Sequence, residues 1–124
     1  MENLDISKQE WKIMHLLWEN APQTITQITK VLEGQKGFSK NVVITYLNRL
    51  EEKGAVYYER GAKAKQYFPK ITQNEAEQKE ILSLLDKVFH GNAGMLVNTM
   101  VKDEIISEEE VMQLYKLLHG GKND

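Results

Sequence analysis

Asn41, Thr45 and Asn48 stand four and three residues apart. On a helix that spacing gathers them on one face, because residues three and four apart are neighbours there. Their chemistry suits the edges of nucleobases. An amide can donate to and accept from adenine at once, and threonine offers a hydroxyl and a methyl. Val42 and Ile44 flank the trio with the branched apolar surface that meets a thymine methyl. Ser39 and Lys40 open the segment, where the free N–H groups of a helix start also attract phosphate, and Arg49 lies beside the polar face. Shortly downstream come Arg60, Lys63 and Lys65, a cluster suited to phosphate oxygens, whose contacts fix register without reading sequence.

Other chemistry is hard to assemble from this chain. Cysteine is absent, which excludes disulfides, thiol catalysis and any Cys-ligated metal. His15, His90 and His119 are scattered, and Asp86 with His90 is a lone (i, i+4) pair of the kind that is usually structural. There is no Ser/His/Asp set, no phosphate-cradling glycine loop and no carboxylate pair embedded in apolar sequence. The expectation is a protein that is not an enzyme and needs neither cofactor nor metal.

The polar trio must be carried by a helix, and the flanking sequence supplies one. Ser39 can cap a helix running to about Lys53, closed by Gly54 as the left-handed C-terminal residue. Val43, Tyr46, Leu47 and Leu50 form its apolar face, opposite Asn41, Thr45 and Asn48. Two capping boxes announce helices before it. Ser7 to Glu10 precedes the stripe Trp11, Met14, Leu17 and Trp18, and Thr24 to Gln27 opens a shorter helix with Ile25, Ile28 and Leu32 on one side. After Gly54 the period shortens. Ala55 to Glu59 and Gln66 to Pro69, rich in Val, Tyr and Phe, enclose the basic, glycine-containing turn of residues 60–65 and read as a β-hairpin. A short helix, a turn, a helix with a polar outer face and a basic hairpin make up the order of a winged helix-turn-helix.

Beyond Pro69 the sequence changes character. Thr72 or Asn74 can cap a long helix ending at His90-Gly91-Asn92, a second helix is expected over about 93–102, and Ser107 with Glu108, Glu109 and Glu110 starts a third. These helices have apolar stripes that must be buried, either on the first domain or on a second chain. A winged domain of about seventy residues has its own core, and a two-fold partner is the commonest symmetric solution. The expected fold class is therefore mainly α with a small β-wing: a winged helix-turn-helix domain over 1–70 and a helical dimerisation arm over 71–124. Ile81, Leu85, Val88, Phe89, Met100, Val111, Leu114, Tyr115 and Leu118 are the expected dimer contacts.

The charge follows the same division. The 124-residue chain has a formal net charge of −2, but residues 1–70 hold 11 Lys and Arg against 8 Asp and Glu, whereas 71–124 hold 5 against 10. A basic reader of polyanions joined to an acidic element fits that asymmetry. No apolar run approaches the ~18 residues of a membrane span. The first five residues are acidic and polar, unlike a signal peptide, so the expected compartment is the cytoplasm.

Taken in order, several of these segments resemble the penicillinase-repressor (BlaI/MecI/CopY) family of bacterial regulators. They are Glu10-Trp11-x-x-Met14 with Trp18, Phe38-Ser39, Thr45-x-Leu47-x-Arg49-Leu50-x-x-Lys53-Gly54, the Tyr67-Phe68-Pro69 end of the hairpin, and the long acidic arm. The resemblance implies a homodimer that blocks transcription on a pseudo-palindromic DNA operator, controlling antibiotic-resistance or metal-response genes. It matches Asn41, Val42, Ile44 and Thr45 to the base-reading stretch. In the β-lactam branch a regulatory protease cleaves the arm, commonly at an Asn-Phe bond, and Thr99-Met100 stands at that position. The copper branch senses metal through a C-terminal Cys cluster, which this chain lacks. The alternative from another class is a winged-helix protein-interaction module that never meets DNA.

Overall fold

A computed structural model describes residues 5–120, except the side chains at 114, 115 and 117–120 of the last helix. The element order is α1 (Lys8–Glu19), α2 (Ile25–Leu32), α3 (Lys40–Glu52), β1 (Val56–Arg60), β2 (Lys65–Pro69), α4 (Gln73–Phe89), α5 (Ala93–Lys102) and α6 (Glu108–Gly120). The fold is mainly helical with one two-stranded antiparallel sheet, as the periodicity indicates.

Chain contacts divide it into two compact units, Met1–Ile81 and Leu82–Asp124. The first has a single core. Ile13, Met14 and Leu17 of α1, Ile28 and Leu32 of α2, and Val43, Leu47 and Leu50 of α3 are buried together with Phe38, Ala55, Val56 and Tyr67. Each helix contributes one apolar stripe at i, i+3/i+4 spacing and turns its other side to water. The helices begin where their sequences say they must. Ser7 and Thr24 head complete capping boxes with Glu10 and Gln27, so each pair satisfies two otherwise orphaned N–H groups.

The first unit extends past the change of character at Pro69 into the start of α4. Trp18 Nε1 donates to the carbonyl of Ile71 at 2.9 Å, and Ala76 is 1% exposed within the same core. Thr72 caps α4 with Glu75: the Glu75 amide donates to Thr72 Oγ1, and the Thr72 amide donates back to the carboxylate. The Thr72 amide, and after it the Thr72 hydroxyl, which also donates to that carboxylate, hold the Glu75 carboxyl below its ordinary range, because they favour its charged form.

The second unit is built by the same local rules. Asn92 Oδ1 accepts the Met95 amide at the start of α5, and Ser107 and Glu110 exchange bonds at the start of α6. Its packing differs. Among the described residues no side chain of this unit is buried, and Leu82, Val101 and Ile105 are 64, 48 and 67% exposed.

Candidate nucleic-acid interface

The site grows from α3. Ser39 Oγ accepts the Val42 amide at 3.3 Å, which fixes where the helix starts. Lys53 caps its end, and Gly54 follows at φ +80°, a left-handed position that glycine adopts without steric cost. Val43, Leu47 and Leu50 are fully buried, and this alone orients the rest of the helix. Asn41, Thr45 and Asn48 are exposed on the far side, Arg49 is exposed beside them, and Val42 and Ile44 are half-buried at the margins. All five expected base-reading residues thus lie on or next to one accessible face. The Thr45 hydroxyl donates to the Asn41 carbonyl at 3.1 Å, leaving its lone pairs and methyl for another partner.

Tyr46 modifies the expectation for the apolar face. It is half-buried and, with Asn41, Val42, Thr45 and Arg49, lines a shallow groove on the outer side of α3. Its ring lies 6.2 Å from that of Phe38, with the Arg49 guanidinium 5.9 Å from its centroid. Helical spacing groups Tyr46 with Leu47 and Leu50. Only its hydroxyl and its place next to Thr45 hint that it reaches the polar edge.

α2 and the turn after it set α3 in the helix-turn-helix order, with Ile28 and Leu32 buried beneath it. The wing follows. Val56 pairs with Pro69, Tyr58 with Tyr67 and Arg60 with Lys65. The Gly61 amide donates to the Ala64 carbonyl at 2.9 Å, and a Cβ at Gly61 would stand 2.9 Å from that same oxygen, so the turn requires glycine. Arg60 and Lys63 are exposed and Lys65 is half-exposed. With Lys40 and Arg49 they supply the accessible positive charge. Lys53 belongs to another role, since its ammonium is bonded to the Glu10 carboxylate at 2.6 Å.

One element of the wing has no forecast in the periodicity. Gln23 pairs with Tyr67 as an isolated bridge: its amide donates to the Tyr67 carbonyl at 3.1 Å and its carbonyl accepts the Tyr67 amide at 2.8 Å. Its side chain donates to the carbonyls of Leu16 and Asn20 at the end of α1. Gln23 therefore ties the base of the wing to the first helix. A single bridging residue carries no repeat by which to find it.

Of the expected dimer contacts, Ile81 and Val88 are 52 and 56% exposed, while Leu85, Phe89, Met100 and Val111 are half-buried. Leu114, Tyr115 and Leu118 lie outside the described side chains. The Thr99–Met100 bond lies within α5, both side chains half-buried, and not at a loop tip where nicking concentrates. Among the described residues no group of three His, Asp or Glu is placed to hold a metal, and no helix is long and apolar enough to cross a membrane.

Comparison with known proteins gives this arrangement a family. The chain is 26% identical over 115 residues to the methicillin resistance regulatory protein MecI of Staphylococcus aureus, covering 93% of this chain and 94% of that one. It is 25% identical over 118 residues to the penicillinase repressor of Bacillus licheniformis, covering 95 and 92%. Among solved structures, the DNA-binding domain of the repressor BlaI superposes with a TM-score of 0.53 at 25% identity, covering 59% of this chain and 89% of that domain. The family model for the penicillinase repressor matches residues 6–120, so the chain belongs to the penicillinase repressor family.

Proposed function

We propose that this protein is a DNA-binding transcriptional repressor that acts as a homodimer on a pseudo-palindromic operator. The observation that carries the reading is the accessibility of the α3 face bearing Asn41, Thr45 and Asn48, next to a cationic wing, in a chain of this family. α3 enters the major groove with Asn41, Val42, Ile44, Thr45 and Asn48 toward the base edges. Ser39, Lys40, Arg49, Arg60, Lys63 and Lys65 meet the phosphates. Two such units joined through their arms place two α3 helices on half-sites about one helical turn or more apart. The work is binding and not catalysis, it calls for no cofactor, and it is carried out in the cytoplasm.

Release follows from any event that separates the two copies. Cleavage by a regulatory protease at Thr99–Met100 is one such event, and it requires α5 to open first, since the bond lies inside that helix.

Competition binding at fixed salt on duplexes that differ at single base pairs tests the reading. Asn41→Ala and Thr45→Ala cost ~1–3 kcal/mol at particular base pairs, whereas Lys63→Ala weakens binding to all sequences alike. Log affinity falls with log salt by about 0.9 for each phosphate contacted. Identical behaviour of the three variants overturns the division of roles. Absence of salt-dependent duplex binding overturns the function and favours the protein-interaction module.

A further inference from the structure

The wing ends with two cations directly opposite each other, because Arg60 pairs with Lys65 across the ladder. Like charges in that position repel and weaken a hairpin. Strand side chains alternate between faces, so Tyr58 and Tyr67, also a cross-strand pair, share a face with Arg60 and Lys65. Glu59, the carboxylate of the same strand, belongs to the opposite face, across from Gln66.

What meets the cations is an aromatic ring. Lys65 Nζ lies 4.2 Å from the Tyr58 centroid, and the Arg60 guanidinium carbon lies 6.0 Å from it. Tyr58 in turn rests on Tyr67, with centroids 5.6 Å apart at 49°, and Tyr67 is 1% exposed in the core. The two flexible side chains are thus anchored through one ring to the interior. A carboxylate in this place would cancel their charge. The π face attracts a cation through its quadrupole and leaves the full charge available to an anion.

We propose that Tyr58 is a positioning residue of the wing, whose ring aligns Lys65 and Arg60 as one two-cation clamp for a run of phosphodiester groups. The proposal rests on the DNA-binding function above and adds to it that the ring, and not the charge count alone, sets the strength of the wing's contact.

Two measurements on the full-length protein test it. The first is NMR of the free protein, where the ring current of Tyr58 moves the Lys65 ε-CH2 protons upfield of their ordinary position. Ordinary shifts for those protons overturn the proposal. The second is affinity for a labelled mixed-sequence duplex as a function of salt. Tyr58→Leu lowers affinity about two- to fivefold and makes the salt dependence shallower, while Tyr58→Phe, which keeps the ring, restores both. In an Arg60→Ala/Lys65→Ala background the Tyr58→Leu change has no further effect, an outcome that general destabilisation of the wing does not produce. Equal losses in both backgrounds, or Tyr58→Phe as weak as Tyr58→Leu, overturn the clamp while the DNA-binding function stands. A wild-type protein without salt-dependent affinity removes both.

Discussion

The Lys53 ammonium lies 2.6 Å from a Glu10 carboxylate oxygen and 2.7 Å from the Asp5 carbonyl, tying the end of α3 to the start of α1. The Glu10 side chain is 1% exposed and that of Lys53 28%, so the pair is closed to water on the carboxylate side. The same Glu10 oxygen accepts the Ser7 amide in the capping box. One carboxylate therefore serves a helix start and the contact that holds α3 in place.

Removing the cation alone leaves a buried charge whose remaining partner among the described residues is the Ser7 amide. Lys53→Met should destabilise the first unit by about 3 kcal/mol, toward the lower end for a broken buried pair because Lys53 retains some solvent. The double change Lys53→Met with Glu10→Gln should recover most of that loss, since the uncompensated charge is gone. Urea denaturation of the wild type and the two variants measures both effects. Equal midpoints for the wild type and Lys53→Met would show that the pair contributes nothing net.

Tyr67 links stability to alkaline pH. Burial raises its phenol above the ordinary tyrosine range, and the nearby negative charges of Glu51 and of the Tyr58 phenol once ionised add to the shift. The folded state thus keeps a proton that the unfolded chain releases near pH 10. The corresponding stability is fully present below about pH 10 and is lost as pH rises through the higher folded value. Tyr67→Phe should flatten this alkaline fall in urea midpoint relative to the wild type. Parallel curves for the two proteins would contradict the assignment.

Among the described residues, the second unit leaves large apolar side chains exposed. Val88 is 56% exposed and Leu82 64%, and helices with such stripes are marginal in water unless the stripe is packed. If the two copies meet here, Val88→Asp should weaken the dimer roughly thirtyfold or more, the range of a well-packed anchor. Sedimentation equilibrium reads the change directly, and half-site binding to duplex DNA should follow it. A Val88→Asp protein with the wild-type dimer constant would move the interface elsewhere.

The local grammar of this chain is legible without coordinates. Ser7, Thr24, Ser39 and Ser107 each satisfy amides within three residues, so the helix starts follow from nearest neighbours in sequence. The outer face of α3 was equally readable, because Val43, Leu47 and Leu50 must point inward and a rigid 3.6-residue period then points Asn41, Thr45 and Asn48 outward. The hairpin, its basic turn and the family itself were in reach for the same reason.

Tertiary structure alone decided the pairings between distant residues. Glu10 reads as half of a capping box and Lys53 as one more cation of a basic segment, and only packing joins them across 43 positions. Gln23 has no pattern around it, yet it completes the wing against Tyr67. Lys65 looks like a free charge until β1 and β2 pair and set it on the Tyr58 ring. Caps and periods act over a few residues and leave their mark in the sequence next to them. A contact between remote side chains depends on where whole elements come to rest, and that is settled by burial of the shared core.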